Sequence, residues 1–161
     1  MVEYPQNQPP AHDSEFLRTQ QDYVDRIKAH KLLARIPVLS ENNLDMKYVI
    51  DNALAVHDLG IAIVVLTPQA GSTNLRNIPK VYFDKAIITA SVMENPTINR
   101  GELGTQLVCT VVAELIARQC HWWTNDAGKC TYVTNIADQT QEDSQELILR
   151  TVVMQTEIGL E

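Results

Sequence analysis

The segment that most constrains the fold is a run of apolar and β-branched residues, IAIVVLT at positions 61–67. These side chains favour a strand, and because no polar residue alternates with them, both faces of that strand should be covered. Pro68 ends the run, since proline cannot donate a hydrogen bond to a neighbouring strand. Residues 69–79 contain Gly, Ser, Asn and Pro, which predict a polar loop. We therefore expect an interior strand followed by a surface loop.

The other patterned segments predict three helices and four extended elements. Apolar residues recur at helical spacing, with capping residues nearby, in segments 13–30, 43–57 and about 102–120. Strand patterns occur at 80–94, 130–136 and 146–158, and the proline-containing segment 32–39 is predicted to be an extended edge segment. A turn is expected around Gly128, between the third helix and the two closing strands.

This order of elements predicts an α+β fold. Strands that follow each other through short loops favour a mostly antiparallel sheet of about four strands, with the helices packed on one face. No repeat or linker divides the chain, so residues 13–161 are expected to form a single domain. Residues 1–12 are rich in Pro, Gln and Asn and are expected to form a flexible arm.

Two segments give specific predictions about which side chains are buried. Alternation along the strand at 80–94 assigns one face to Tyr82, Ala86, Ile88, Ala90 and Val92, and the other to Val81, Phe83, Ile87, Thr89 and Met93. In the third helix, the residues expected in the core are Val111, Val112, Leu115 and Ile116. Glu114 and Arg118 should form an ion pair outside that apolar stripe.

The composition argues against several classes of protein. The chain has 20 acidic and 13 basic residues and a net charge of −7, whereas general affinity for nucleic acid requires a surplus of Lys and Arg on some face. No apolar run approaches the ~20 residues that span a bilayer, and the opening MVEYPQNQPP lacks the basic and apolar regions of a signal peptide. Three cysteines without paired spacing indicate free thiols in a reducing cytosol.

No pattern in the sequence predicts a metal site, a cofactor or a catalytic residue. Cys120 and His121 are adjacent, so they cannot both face one zinc ion, and no CxxC, HExxH or GxSxG motif occurs. Asp84 and Glu94 share one face of a strand but would lie about 33 Å apart, too far to bind the same ion. The two glycines of GELGT, at positions 101–105, are explained by a tight turn before a helix.

The most distinctive stretch is VMENPTINRGELGT, residues 92–105, which joins a long strand to an amphipathic helix. Its polar residues are candidates for a subunit interface: Glu94, Asn95, Asn99 and Arg100. In one interpretation Asn99 caps the third helix and Glu94 pairs with Arg100 inside the subunit. In the other, the planar guanidinium of Arg100 binds a carboxylate of an adjacent subunit.

A second candidate for the interface is the pair of tryptophans that follows the third helix. One ring can cap the core while the other covers a neighbouring subunit, and Trp123 is the residue predicted at the interface. Packing of both rings within a single subunit is the alternative.

Together with the strand IAIVVLTP and the closing strand ELILRTVVMQTEI, residues 92–105 resemble the tail-terminator, or tail-completion, proteins in the neck of long-tailed bacteriophages. The resemblance covers roughly Val38 to Ile158 and rests on the order of elements and on loosely matched residues. It implies a ring of identical subunits, commonly hexameric, that ends polymerisation of the tail tube. The tail-tube protein and the head–tail connector protein would be its partners, and the family has no catalytic residues.

The same resemblance implies a protein of the virion neck that assembles in the host cytoplasm without a membrane. Exposed strand edges could be paired or covered by ring closure. DNA could pass through a ring of acidic subunits without specific binding, because like charges repel. Two alternatives stay open: another head–tail joining protein, such as a stopper or adaptor, or a small phage-encoded enzyme such as a nuclease.

Overall fold

The computed structural model describes residues 14–40, 59–71, 80–140 and 147–160. Its elements, in chain order, are α1 (Glu15–Lys28), β1 (Val38–Ser40), β2 (Ile61–Val65), β3 (Gln69–Gly71), β4 (Val81–Glu94), α2 (Pro96–Asn99), α3 (Cys109–Cys120), β5 (Tyr132–Asp138) and β6 (Ile148–Leu160). The arm predicted at 1–12 and the helix predicted at 43–57 lie outside the described residues. No helix in the described part is long and apolar enough to cross a bilayer.

All the described strands belong to one sheet. The strand order is β1-β2-β4-β6-β5, and β3 pairs with β4 beyond the end of β2. Four of the five pairings are antiparallel, whereas β1 runs parallel to β2. The α+β class and the packing of the described helices on one side are confirmed. The prediction of about four antiparallel strands was too simple, because the sheet is mixed and has six strands.

The second strand is buried along its whole length, as its uninterrupted apolar run predicts. All five residues of β2 are buried between β1 and β4. The loop predicted at 69–79 was wrong at its start, because Gln69–Gly71 pair with Lys85–Ile87 of β4. Pro68 interrupts the hydrogen bonding to β4, but β4 is 14 residues long and extends far enough to pair with the chain again after the proline.

The longest ladder of the sheet joins β4 to β6, from Val81 opposite Leu160 to Glu94 opposite Ile148. A bulge between Phe83 and Ala86 inserts one extra residue in β4. The simple alternation predicted for this strand was therefore wrong before the bulge, at Val81, Tyr82 and Phe83, which lie on the faces opposite to those predicted. The bulge brings Phe83 onto the same face as Ala86, where its ring meets the ring of Phe16 in α1 at a centroid distance of 6.0 Å.

The hydrophobic core lies between the sheet and helices α1 and α3. Ser14 caps α1, because its side chain accepts a hydrogen bond from the Leu17 N–H at 3.3 Å. The largest side chains buried on the helix side of the sheet are Tyr23, Ile27, Leu33, Ile63, Ile88, Ile116 and Met154. Polar groups inside this core are paired: Tyr23 and Thr131 share a hydrogen bond, and Gln20 donates to the Val65 carbonyl.

The third predicted helix begins later than expected and buries a different face. It was predicted from about Glu102, but α3 starts at Cys109. The buried residues are Cys109, Val112, Ala113, Ile116 and Cys120, while Val111 is 40% exposed. The predicted burial of Val111 was wrong, because the helix face that contacts the sheet is centred on Val112, Ala113 and Ile116 and leaves Val111 at its margin. The ion pair between Glu114 and Arg118 is present at 3.7 Å.

The two closing strands occur as predicted, displaced by about two residues towards the C-terminus. Between α3 and β5 the chain turns at Gly128, whose φ of +76° lies in the left-handed region that favours glycine. The strands and this turn carry Tyr132 and its neighbours to the edge of the sheet, next to the end of α3.

Candidate functional site

The polar loop that carries the family resemblance connects β4 to α3 and is centred on a buried carboxylate. Glu94, the last residue of β4, is fully buried. The next residue, Asn95, is extended with φ −94° and ψ 102°, as expected before a proline, and its N–H donates to the Gly60 carbonyl at 2.7 Å. Pro96 then opens the four-residue helix α2.

Three neighbouring residues donate hydrogen bonds to the Glu94 carboxylate. The Arg100 guanidinium binds both oxygens, from Nη2 to Oε1 at 3.1 Å and from Nε to Oε2 at 3.3 Å. Asn99 Nδ2 donates to Oε2 at 2.5 Å. The backbone N–H of Cys109 donates to Oε1 at 3.1 Å. A buried carboxylate is costly unless such donors surround it, so the loop compensates for the burial of Glu94.

The contact with Cys109 makes Glu94 the cap of α3. Cys109 is the first residue of that helix, and Val108 before it contributes no side-chain cap. A negative charge at a helix N-terminus is favourable, because the unpaired N–H groups there carry partial positive charge. The prediction that Asn99 caps this helix was wrong, because a residue distant in sequence fills that role.

Asn99 instead holds the loop together from within. Its Oδ1 accepts a hydrogen bond from the Thr105 hydroxyl, and its Nδ2 also donates to the Leu107 carbonyl at 2.9 Å. Gly104 approaches its backbone so closely that a Cβ at that glycine would lie 2.0 Å from the Asn99 oxygen. The second glycine of GELGT, Gly104, is therefore required because a side chain there would overlap the Asn99 backbone.

The structure thus places the four predicted loop residues together, with Glu94 and Arg100 paired inside one chain. The Arg100 side chain nevertheless remains 49% exposed. Its hydrogen bonds to Glu94, and the negative charge of that residue, raise the pKa of the guanidinium above its usual value. An additional contact from Arg100 to an adjacent subunit stays a prediction.

The two tryptophans after α3 point in different directions. Trp123 packs within the chain, edge-to-face on Tyr23 at 5.2 Å and beneath the Arg26 guanidinium, which lies 5.5 Å from the ring centroid. Trp122 is 68% exposed and has a φ of +62°, a left-handed conformation that is unfavourable for a bulky residue. Of the pair, Trp122 offers the larger surface to a neighbour.

An aromatic cluster surrounds Trp122 at the edge of the sheet. Its ring lies 5.4 Å from that of Tyr132 on β5 and 5.9 Å from that of His121, both nearly perpendicular. His121 Nδ1 accepts a hydrogen bond from the Val133 N–H at 3.1 Å and so covers part of the strand edge. Ile136 further along β5 is 41% exposed. We call Trp122 and Tyr132 the aromatic edge.

Beyond Val133, the outer side of β5 pairs with no strand in the described part of the chain. Unpaired strand edges with exposed apolar side chains are sites where another chain can add a strand or pack. Sequence reasoning selected Trp123 because it could not tell which tryptophan faces outward. Tyr132, an aromatic residue in the strand predicted at 130–136, was the available signal for this surface.

The thiols and carboxylates considered for metal binding or catalysis lie apart in the structure. Burial raises the pKa of both Cys109 and Cys120 to about 12, so these thiols are protonated at neutral pH and are not nucleophiles there. Asp84 and Glu94 lie near opposite ends of β4. Among the described residues, no group of three His, Cys, Asp or Glu side chains could hold a metal ion.

No protein-family model matches the chain, and no curated protein is similar to it. Several solved chains match, and one of them is similar over 90% of this chain and 94% of its own, at 13% sequence identity and a TM-score of 0.48. A likeness at that level supports no argument about function.

Proposed function

We propose that the chain is a structural protein of the bacteriophage neck, which forms a ring that terminates the tail tube and joins it to the head connector. The observation that supports this most strongly is the aromatic edge, an exposed apolar surface beside the outer side of β5, with which no described strand pairs. The polymeric partners, the tail-tube protein and the head–tail connector protein, follow from the family resemblance of residues 92–105 and the strands around them.

The conformation of Trp122 favours a docking role. A left-handed backbone at a non-glycine residue costs of order 1–3 kcal/mol and persists where function or the surrounding structure requires it. Here the strain holds a large aromatic ring in solvent, 68% exposed. Tryptophan and tyrosine are also the side chains most enriched among residues that dominate binding energy at interfaces. A neighbouring subunit that covers the ring accounts for both features.

The two ends of the sheet favour a ring over a symmetric dimer. The β5 end presents the aromatic edge, whereas the other end presents the three-residue strand β1, preceded by Leu32, which is 54% exposed. Among the described strands, none pairs with the outer side of β1. Two different edges on opposite sides of one subunit support head-to-tail contacts, and such contacts close into a ring when the rotation between subunits allows.

The charge of the chain is compatible with a channel for DNA. A ring of subunits that each carry a net charge of −7 repels the phosphate backbone, so DNA passes without specific binding. In this proposal the loop of Glu94, Asn95, Asn99 and Arg100 is a rigid support at the subunit surface, and Trp123 anchors the segment after α3 to Tyr23 in the core. No catalytic residue, cofactor or membrane belongs to the proposed function.

Replacing Trp122 with alanine should weaken ring formation while leaving the fold intact. Removal of a central aromatic residue from an interface costs about 2 kcal/mol or more, which corresponds to roughly 30-fold weaker association. Sedimentation velocity over a concentration series, with and without tail-tube protein, measures the effect. Trp123→Ala is the matched control, since it should lower thermal stability through lost packing on Tyr23. Unchanged assembly of the Trp122 variant would contradict the proposed interface.

A further inference from the structure

Beyond the aromatic edge, the outer side of β5 continues as a short stretch of regular strand with a defined backbone direction. The Gln139 N–H donates inward, to the Leu149 carbonyl of β6, at 2.8 Å. The backbone groups of successive residues in an antiparallel strand point to alternate sides. Those of Ile136 and Asp138 therefore point outward, where no described strand pairs with them.

Side chains of the same molecule close both ends of this outward stretch. His121 Nδ1 accepts a hydrogen bond from the Val133 N–H at 3.1 Å. Asp138 Oδ1 accepts one from the Thr140 N–H at 2.9 Å. After its bulge, the outer side of β5 thus offers the backbone groups of two residues to a neighbouring strand, those of Ile136 and Asp138.

At the other end of the sheet, β1 presents an edge of the same length. The Ile63 N–H donates to the Pro37 carbonyl at 2.9 Å, and Val38 lies opposite Ile63 in the parallel ladder. Because Pro37 and Leu39 direct their backbone groups to β2, alternation turns those of Val38 and Ser40 outward. Two outward residues on β1 therefore match two on β5.

The two edge strands also have compatible directions. β1 runs parallel to β2, and each of the pairs β2–β4, β4–β6 and β6–β5 is antiparallel, so β5 runs opposite to β1. Rotation about an axis that lies along the strands preserves these directions from one copy to the next. In such a ring, β5 of one copy meets β1 of the next as an antiparallel pair, the more stable arrangement per residue.

The side chains of the two edges face the same layer. Val38 packs in the core beneath the helices, and so does Val152, the residue opposite Ile136 in the ladder. Directly opposite residues of an antiparallel pair have their side chains on one face of the sheet. Pairing of the two edges therefore keeps the helices of neighbouring copies on the same side, and it covers Ile136, which is 41% exposed.

The charges near the two edges favour a second copy as the occupant. Residues 26–40 contain four Lys or Arg and no Asp or Glu. Of these, Lys31 and Arg35 are exposed just before β1, and no described carboxylate pairs with them. Antiparallel pairing brings the start of β1 beside the end of β5, where the Asp138 side chain is 51% exposed. Opposite charges at these two ends attract each other.

We propose that the outer edge of β5 pairs with the outer edge of β1 in the next copy of the chain, with Ile136 opposite Ser40 and Asp138 opposite Val38. The pairing rests on the ring proposed above and names the strands that join its subunits. The sheets of neighbouring copies then form one continuous sheet around the ring, and neither edge is left open to other chains.

Disulfide trapping in the full-length protein tests this pairing. In a chain whose partly exposed Cys130 is replaced by serine, Ser40→Cys is combined with Ile136→Cys. Opposite residues of a hydrogen-bonded antiparallel pair have Cα atoms about 5.5 Å apart, within the range of roughly 4.4–6.8 Å that disulfides span. Mild oxidation, with and without tail-tube protein, should give a ladder of covalent multimers that ends at the number of subunits in the ring.

The control pair is Ser40→Cys with Glu114→Cys, an exposed position on α3. We expect about tenfold less covalent multimer from it, because thiols held in register react at a higher effective concentration. Dimers from Ile136→Cys alone, at the yield of the double variant, would assign the edge to β5 of a second copy and overturn the pairing. A closed oligomer without the ladder overturns the pairing and leaves the ring. Absence of any oligomer, with and without tail-tube protein, overturns both.

Discussion

Replacing Glu94 with alanine should lower the free energy of unfolding by about 3–5 kcal/mol, a large part of the stability of a domain of this size. The substitution removes the acceptor for the Asn99 side chain and for the Cys109 N–H, both of which are buried. It also leaves a cavity where the carboxylate was, and α3 loses its cap. Urea unfolding followed by circular dichroism measures the change.

Glu94→Gln is the matched control for that experiment. The amide keeps the shape of the side chain and one oxygen that can accept a hydrogen bond from Cys109. It loses the charge and places an NH₂ group near donors of Asn99 and Arg100, so an intermediate loss is expected. If the free energy of unfolding of the alanine variant lies within about 1 kcal/mol of that of the original chain, the carboxylate does not support the loop as its contacts indicate.

Replacing Val112 with aspartate should unfold the domain. Val112 is fully buried in α3 against the sheet, and burial of an unpaired carboxylate costs several kcal/mol, comparable to a total stability of about 5–15 kcal/mol. Loss of the far-ultraviolet signal of the native fold, or recovery of the chain only in an insoluble form, is the expected result.

The neighbouring residue provides the control for this prediction. Val111 is in the same helix but is 40% exposed, so Val111→Asp should shift the melting temperature little. If the two substitutions lowered the melting temperature equally, α3 would be rotated relative to the sheet. A folded Val112 variant with an unchanged melting temperature would show that this helix does not form the core.

The strands were predictable because their patterns are local. A run without polar residues identified β2 as an interior strand, alternation identified β4, and strand-type residues bounded by turns identified β5 and β6. The features that sequence reasoning missed depend on distant partners. Gln69–Gly71 form a strand only because β4 lies beside them, and the bulge after Phe83 appears only in the register with β6.

The start of α3 was missed for the same reason. Its cap comes from Glu94, a residue 15 positions earlier, and no local capping pattern reports such a contact.

The candidate site was predicted in part: Glu94, Asn99 and Arg100 were identified as a group, and their pairing inside the subunit was one of the two interpretations. The outward direction of Trp122 depends on its φ of +62°, which the sequence does not encode in any recognisable motif.

The central claim, that this chain forms a ring in a phage neck, is tested most directly by sedimentation velocity of the full-length protein alone and mixed with tail-tube protein. We expect a discrete closed oligomer, most simply a hexamer, at least when the tail-tube protein is present. Some terminators remain monomeric until they meet the tube, so a monomer in the absence of the partner is compatible with the claim. A monomer under both conditions would contradict it.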